Sequence, residues 1–330
     1  MSDEADRPRV SLVVPAYNEA ALIERTLQRL QQHMSLLEDR YDWELIVVDD
    51  GSTDRTADLA EAYAEAHPNM RVLRHPANLG LGQALRYAFD NCRGDYVVTI
   101  DCDLSYDPEH IERLVATAEE SRARIVLTSV FARGGRIVNV PWRRRTLSLL
   151  ANRYLRAAAG SELTTLTGMV RCYDRKFLRK LSLRSMGAEI NTEIIYKAQL
   201  MGARIVEIPA ELNWTFEDSG GVRRPSPVRT LRNTSSYLQA GFLFRPATFI
   251  VVAGVGILAT AMVLAVWVGW LAAVVGLVVA IHSVGIGALA LQSRRYFEAL
   301  YDLGVRININ TCGEQIIVRR PAVVWSSRSD

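Results

Sequence analysis

Short apolar runs alternate with longer amphipathic segments along the first two thirds of the chain. Short apolar runs are typical of buried β-strands, whereas apolar side chains that recur every three or four positions are typical of helices. The regular alternation of the two indicates an α/β domain with a mainly parallel sheet. The predicted elements are strand 10–14, helix 18–32, strand 44–48, helix 54–66, strand 70–73, helix 82–91, strand 96–100, helix 108–121, strand 125–128, helix 189–201 and strand 203–208.

A different pattern begins at Pro246. No Asp, Glu, Lys or Arg occurs from Pro246 to Gln292, and one transmembrane helix needs only about 20 apolar residues. We therefore predict two transmembrane helices with a tight turn near Gly269. Arg245 and Arg294 flank the stretch, so the positive-inside rule predicts that both of its ends face the cytoplasm. The alternative is a buried helical hairpin, although soluble helices rarely extend so far without a charged residue.

Composition and charge narrow the class of protein. The chain has 330 residues, of which 49% are apolar, with 39 Lys and Arg against 36 Asp and Glu. This composition excludes a disordered or fibrous protein, and the net charge of +3 gives no indication of nucleic-acid binding. The four cysteines have no metal-clip spacing and are too few for a disulfide scaffold. The N-terminal residues are polar, so no cleaved secretion signal is predicted.

Positive charge is concentrated in two segments that contain no acidic residue. The first extends from Arg136 to Arg156 and includes Trp142, and the second is 221–245. Either segment suits an anionic lipid surface or a phosphate group, while the alternatives are a solvated cationic face and a plain linker helix. The predicted organisation is a catalytic domain in 1–215, basic juxtamembrane helices in 216–245, two transmembrane helices in 246–293 and a cytoplasmic tail in 294–330.

The strongest chemical signal follows the fourth predicted strand, which ends in Asp101-Cys102-Asp103. Alternate residues of a strand share a face, so the two carboxylates can converge. Adjacent carboxylates repel each other, and a hard divalent cation such as Mg²⁺ or Mn²⁺ relieves that repulsion. Ligands of parallel α/β sheets bind at the carboxyl ends of the strands. We therefore predict a metal site at this edge of the sheet.

The first three predicted strands are also followed by polar or glycine-rich segments. Asp49-Asp50-Gly51 follows the second strand, where a carboxylate can accept a hydrogen bond from a ribose hydroxyl or a base N–H. The alternative is a local role, in which Ser52 or Thr53 caps the next helix and Gly51 forms the turn, and both interpretations can hold together. Asn78–Gly82 precedes the third helix, and a simple turn would also explain its glycines.

Four ordered motifs resemble those of the family 2 glycosyltransferases, which have the GT-A fold. They are VVPAYNE at 13–19, VVDDGSTD at 47–54, NLGLGQA at 78–84 and DYVVTIDCDLSYDPE at 95–109. Together with two predicted transmembrane helices, the chain resembles the dolichyl- or polyprenyl-phosphate hexosyltransferases of that family. The resemblance covers residues 9 to 215.

This resemblance implies a role for particular residues in donor binding. The metal on the donor diphosphate would be held by Asp101 and Asp103, with the Cys102 backbone nearby and Ser105 where the family usually has a glutamine. Arg223 or Arg224 would cap the diphosphate. The residues implied to contact the nucleoside are Pro15, Tyr17, Glu19, Val48 and Asp50.

The resemblance also implies an acceptor site and a reaction. Arg144 and Ser148 match the positions that bind the acceptor phosphate, and residues four apart lie on one helical face. A lipid phosphate is already anionic, so it can attack the anomeric carbon without a general base and invert that centre. Asp101, Asp103 and Arg144 are therefore the implied catalytic residues.

The expected partners are a nucleotide sugar, a polyprenyl phosphate and the bilayer, and the oligomeric state stays open. One alternative is transfer to another lipid or a growing glycan, for which a faint QxxRW-like motif occurs at Gln292–Tyr296. A membrane scaffold with a degenerate domain is another alternative, and the two intact aspartates argue against it.

Overall fold

The structure is a computed structural model that describes residues 7–159, 161–213, 254–260, 274–287, 289 and 293. The described residues belong to two compact units. The first contains the residues up to Arg153 and from Leu163 to Asn213, and the second contains Tyr154–Glu162 and the residues from Gly254 onward.

A central sheet of seven strands organises the described part of the first unit, in the order β3-β2-β1-β4-β7-β5-β8. β7 is antiparallel to both of its neighbours, whereas the other pairings in this sheet are parallel. β6 and β9 form a separate parallel pair. The strands are β1 Arg9–Ala16, β2 Asp42–Asp49, β3 Met70–Arg74, β4 Tyr96–Thr99, β5 Ile125–Ser129, β6 Arg136–Val138, β7 Arg171–Asp174, β8 Ile205–Pro209 and β9 Glu211–Asn213.

The helices connect the strands in the alternating order that the sequence predicts, which confirms the α/β class and the mostly parallel sheet. Arg29 of α1 forms an exposed ion pair of 3.2 Å with Asp107, just before α4. The helices are α1 Ile23–Ser35, α2 Thr56–Glu65, α3 Leu81–Asn91, α4 Glu109–Ser121, α5 Trp142–Ala159, α6 Arg175–Leu178 and α7 Ile190–Leu200.

The core lies between these helices and the sheet. Every second side chain of β1 points into one buried cluster, and the apolar faces of α1 and α4 pack against it. This cluster includes Val10, Leu12, Val14, Leu45, Val47, Val98, Ile100, Ile23, Leu27, Leu30, Ile111 and Leu114. The sheet is therefore covered by this cluster where β1, β2 and β4 lie side by side.

The prediction missed β7, and its composition explains why. Arg171 of this strand is 0% exposed, although arginine is rarely found in a core. Its guanidinium group donates hydrogen bonds of 2.6 Å to the carbonyl oxygens of Asn191 and Leu166. These partners lie 20 and 5 residues away along the chain, so no local pattern indicates the strand.

The alternative in which Ser52 or Thr53 caps the second helix is not observed. α2 begins at Thr56, and the Ser52 hydroxyl instead accepts a hydrogen bond of 2.9 Å from the backbone N–H of Asn18. The backbone N–H of Thr53 donates to Asn18 Oδ1 at 2.9 Å. These bonds join the loops after β1 and β2, and α1 consequently begins at Ile23 rather than at Asn18.

The second unit contains the described part of the predicted transmembrane region. No helix among the described residues is both long enough and apolar enough to span a membrane. Of the predicted region 246–293, the structure describes 254–260, 274–287, 289 and 293. The other residues of that region, and all of 216–245 and 294–330, lie outside the described residues.

The two described helical stretches of this unit, 254–260 and 274–287, pack closely. A Cβ atom on Gly254 would lie 2.9 Å from Ser283 Cβ. In the longer stretch the small residues Gly276, Ala280 and Gly287 are buried. Its larger apolar side chains are exposed, namely Val274, Val275, Leu277, Val278, Val279, Ile281, Val284 and Ile286.

Glu44 of β2 is a buried carboxylate that links three parts of the first unit. It accepts hydrogen bonds from the Ser11 hydroxyl at 2.6 Å, from the Arg93 backbone N–H at 2.6 Å and from Arg71 at 2.7 Å. Burial alone would raise its pKa, but these hydrogen bonds outweigh burial and hold the pKa of Glu44 below its usual range. The folded state therefore favours the ionised form.

We expect Glu44 to make stability depend on acid pH. Because its pKa is lower in the folded than in the unfolded state, its contribution is complete above the unfolded pKa of about 4.3. It is lost as the pH falls through the folded pKa. Glu44→Gln should lower the free energy of unfolding at neutral pH by about 1–3 kcal/mol and flatten its acid dependence. Chemical denaturation followed by circular dichroism checks this. The exposed Glu61→Gln is the control, and equal behaviour of both variants would contradict the expectation.

Candidate active site

Four loops meet at the carboxyl edge of the sheet. β3, β2, β1 and β4 are consecutive neighbours and run parallel, so their carboxyl ends lie at the same edge. The four sequence motifs follow these strands, and the fold therefore brings together motifs that are up to about 90 residues apart. All four loops belong to the first unit.

The Asp101-Cys102-Asp103 segment extends beyond β4. The Thr26 hydroxyl of α1 donates a hydrogen bond of 2.5 Å to the Cys102 carbonyl oxygen, and the Ser105 backbone N–H donates to Asp103 Oδ1 at 2.9 Å. Asp101 is half-buried, whereas Asp103 is exposed. The segment is thus anchored through its backbone while the Asp103 carboxylate faces solvent.

Negative charges crowd around Asp101. Burial first, and then the charges of Asp103 and Glu19, raise the pKa of Asp101 to about 8. Such repulsion is relieved by a proton or by a cation, and carboxylate oxygens suit Mg²⁺ or Mn²⁺. The donor set at this edge therefore fits a divalent cation.

Two carboxylates supply only part of the oxygen ligands that such a cation needs. In the described part of the chain, no group of three His, Cys, Asp or Glu side chains is arranged to hold a metal ion. A cation at Asp101 and Asp103 would take its other ligands from a bound phosphate or from water. Asp103 and Ser105 also line a cavity of about 640 Å³ between α1, α4 and β9, so there is room for a polar ligand beside them.

The five implied nucleoside residues lie at the ends of β1 and β2. Pro15 pairs in register with Val48, and Tyr17 and Glu19 follow in the partly exposed loop after β1. Val48 is completely buried, so in this structure it presents no surface to a ligand. The structure thus places these residues together.

Asp50 is embedded in a network that also holds the glycine-rich loop. Its carboxylate accepts hydrogen bonds from the backbone N–H groups of Leu79 at 2.9 Å and Gly80 at 2.8 Å, and His75 Nδ1 lies 2.8 Å from Asp50 Oδ1. Gly80 has a φ of 97°, and a Cβ atom there would lie 2.4 Å from the Met186 carbonyl oxygen. The sequence analysis missed His75, since a single histidine after a strand forms no pattern.

The implied acceptor residues lie on α5. Arg144 and Ser148 share this helix, and Ser148 is exposed, whereas the Arg144 side chain lies outside the described part of the structure. Asn152 of α5 accepts a hydrogen bond of 2.8 Å from the Leu166 backbone N–H, which ties the helix to the loop before β7. Arg223 and Arg224 lie outside the described residues.

The loop that receives α5 is itself held by Glu207 of β8. The Glu207 carboxylate accepts hydrogen bonds of 2.8–2.9 Å from the backbone N–H groups of Thr164 and Thr165. Burial, the largest influence, raises the pKa of Glu207, and these donors lower it only in part. Neither Asn152 nor Glu207 is signalled by a sequence motif, because each acts on backbone far along the chain.

The family is established by comparison with known proteins. Residues 11–182, just over half of the chain, match the model of glycosyl transferase family 2. The chain belongs to this family and is a glycosyltransferase.

Two relatives are similar over most of their own length. An undecaprenyl-phosphate mannosyltransferase of Micrococcus luteus is 32% identical over 209 residues, which are 61% of this chain and 82% of the relative. A polyprenol monophosphomannose synthase of Mycolicibacterium smegmatis is 31% identical over 208 residues, which are 61% of this chain and 76% of the relative.

Solved structures support the fold. Glucosyl-3-phosphoglycerate synthase from Mycobacterium tuberculosis, in complex with Mn²⁺, UDP and glucosyl-3-phosphoglycerate, superposes with a TM-score of 0.52 at 24% identity. The alignment covers 72% of this chain and 80% of that one. The likeness shows a GT-A-like fold.

Proposed function

We propose that this glycosyltransferase transfers a hexose from a GDP- or UDP-sugar to a polyprenyl phosphate, with inversion and with the help of Mg²⁺ or Mn²⁺. The observation that supports this most is the anchored Asp101 and Asp103 pair beside the nucleoside motifs. The acceptor class is supported by the two relatives, both of which are named for a polyprenyl or undecaprenyl phosphate.

The donor would bind across the carboxyl edge of the sheet. Tyr17 and Asp50 would contact the nucleoside, and Asp101 and Asp103 would hold a divalent cation that neutralises charge on the leaving diphosphate. The Ser105 N–H orients the Asp103 carboxylate. Because these groups are fixed before the donor binds, little reorganisation is needed as charge develops on the leaving group.

The acceptor would approach along α5. A lipid phosphate is anionic near neutral pH and needs no general base, so the protein must bind and orient it. Arg144 and Ser148 are on the same helix one turn apart. Trp142, Leu149 and Leu150 of this helix are exposed apolar side chains, which suits a helix that lies at a membrane interface.

We also propose that 246–293 anchors the chain in the membrane as a two-helix hairpin, with the catalytic domain and the tail in the cytoplasm. Small residues on the packed face and large apolar residues on the exposed face are typical of helices that pack in lipid. The charge-free stretch from Pro246 to Gln292 supports the same proposal.

The sugar is the least constrained part of the proposal. A Proteus mirabilis undecaprenyl-phosphate 4-deoxy-4-formamido-L-arabinose transferase is 36% identical over 172 residues, which are 52% of this chain and 50% of that protein. This name pairs the same class of acceptor with a different sugar. The donor test therefore has to cover several sugars.

The proposed function is tested with a panel of UDP- and GDP-sugars, polyprenyl phosphate and Mn²⁺, with the product extracted into organic solvent. We expect one donor to be used, EDTA to stop transfer, and Asp103→Asn to reduce kcat by about a hundredfold or more without unfolding the protein. The exposed Asp90→Asn on α3 is the control. Undiminished transfer by Asp103→Asn in EDTA would contradict the metal site, and product only with a glycan acceptor would favour the alternative.

Arg144 should control use of the lipid. We expect Arg144→Ala to raise the KM for polyprenyl phosphate by about tenfold and to lower kcat, because one contact both binds and orients the nucleophile. Arg144→Lys should restore activity only in part, since an ammonium group cannot form the bidentate contact of a guanidinium group. Nucleotide binding measured by calorimetry should not change, and Arg145→Ala should have a smaller effect. Loss of nucleotide binding with unchanged lipid dependence would move Arg144 to the donor site.

The hairpin predicts that its turn is on the opposite side of the membrane from the catalytic domain. Cys92, Cys102 and Cys172 are buried, so thiol labelling in intact cells has a low background once Cys312 is replaced by serine. We expect Val268→Cys to react with an impermeant reagent from outside and Asp58→Cys to react only after lysis. Reaction of both sites from the same side would overturn the proposed topology.

A further inference from the structure

Asp50 and His75 form a buried polar pair at the end of the sheet where β2 and β3 lie side by side. Asp50 is 4% exposed and His75 is 6% exposed. His75 Nδ1 lies 2.8 Å from Asp50 Oδ1, and because a carboxylate can only accept, the proton of this bond is on Nδ1. Neither residue takes part in the hydrophobic cluster of the sheet.

The pair uses most of the hydrogen-bonding capacity of the Asp50 carboxylate. Oδ1 receives His75 Nδ1 and the Leu79 N–H, and Oδ2 receives the Gly80 N–H. A carboxylate has about four acceptor positions, so within the described part of the chain about one is left on Oδ2. The direction of this position is set by the three bonds already made.

His75 is itself held from two sides. Its backbone N–H donates a hydrogen bond of 2.9 Å to the Asp49 carbonyl oxygen, and its ring stacks on Tyr87 of α3 with a centroid distance of 5.3 Å. The imidazole therefore has one orientation, in which Nδ1 points at Asp50. A buried residue fixed in this way is suited to orienting its neighbour.

The loop that Asp50 binds also packs against the backbone of Met186. The Gly82 backbone N–H donates to the Met186 carbonyl oxygen at 2.7 Å, and Gly80 packs against the same oxygen. Residues 79–82 are consequently clamped between Asp50 and Met186. A shift of the Asp50 carboxylate would be transmitted directly to the two N–H groups that it binds.

We propose that His75 is a positioning residue of the donor site, which orients Asp50 so that its remaining acceptor position selects a nucleotide base with a ring N–H. Uracil and guanine present such a group, whereas cytosine presents a ring acceptor at the equivalent nitrogen. His75 acts through Asp50 and does not touch the reacting atoms. This inference rests on the proposed use of a nucleotide sugar.

The test compares UDP, GDP and CDP binding by calorimetry with kcat at saturating donor. His75→Phe keeps an aromatic ring against Tyr87 but removes the donor to Asp50, and His75→Asn retains an N–H near the position of Nδ1. His67→Phe is the matched control. His67 also stacks on a tyrosine, Tyr63, at a centroid distance of 4.2 Å, but it precedes β3 and so lies at the opposite end of that strand.

We expect wild type to bind UDP or GDP at least about tenfold more tightly than CDP. His75→Phe should weaken the affinity for the preferred nucleotide by about tenfold and should reduce the difference between that affinity and the affinity for CDP. The kcat should change by less than about twofold. His75→Asn should restore most of the affinity, and His67→Phe should bind as wild type does.

The outcomes separate this inference from the proposed function. If wild type binds none of the three nucleotides, the proposed function fails and the inference fails with it. Two results would overturn only the inference, provided that wild type binds UDP or GDP. In the first, His75→Phe keeps full nucleotide affinity and selectivity. In the second, His75→Asn binds the nucleotide no more tightly than His75→Phe does. If His75→Phe does not fold, the nucleotide selectivity of His75→Asn decides. A preference for UDP or GDP over CDP as in wild type supports the inference about His75, and loss of that preference overturns the inference.

Discussion

The candidate active site depends on negative charge that the fold concentrates where β1 and β4 end. Asp101 is half-buried near Asp103 and Glu19, and burial and these charges raise its pKa to about 8. Such an arrangement is unfavourable by itself, so the surrounding structure must maintain it. The hydrogen bonds from Thr26 to the Cys102 carbonyl and from the Ser105 N–H to Asp103 do so. The fold of the chain itself therefore sets up an edge whose carboxylates fit a divalent cation.

The loops around this charge are braced against one another and not only against the sheet. Ser52 binds the backbone of Asn18, Asp50 binds the loop after β3, and that loop abuts Met186. The first two braces join backbone to a polar side chain of a neighbouring loop, and the third joins backbone to backbone. Because the loops that carry the family motifs hold each other in place, these motifs are also structural elements of this protein. Changes to them are expected to affect the site through position as well as through contact.

Helix α5 has a different character from the rest of the first unit. It exposes Trp142 and Leu150, and it is joined to the sheet edge through Asn152 and the loop that Glu207 holds. Polar contacts to backbone fix its position, so its exposed apolar face stays available. This arrangement agrees with the proposed function, in which a lipid acceptor approaches along α5.

The sequence alone determined the parallel sheet and the position of Asp101 and Asp103 at a strand end, because apolar periodicity and turn residues act over short distances. Helix starts were less accurate, since α1 begins only after Asn18 has bonded to the next loop. β7 was missed because Arg171 of this strand is buried and donates to carbonyl groups 20 and 5 residues away. The pairing of His75 with Asp50 spans 25 residues. The tertiary structure decided these contacts: buried polar groups must find partners wherever the fold supplies them, and no local pattern of residues records where that will be.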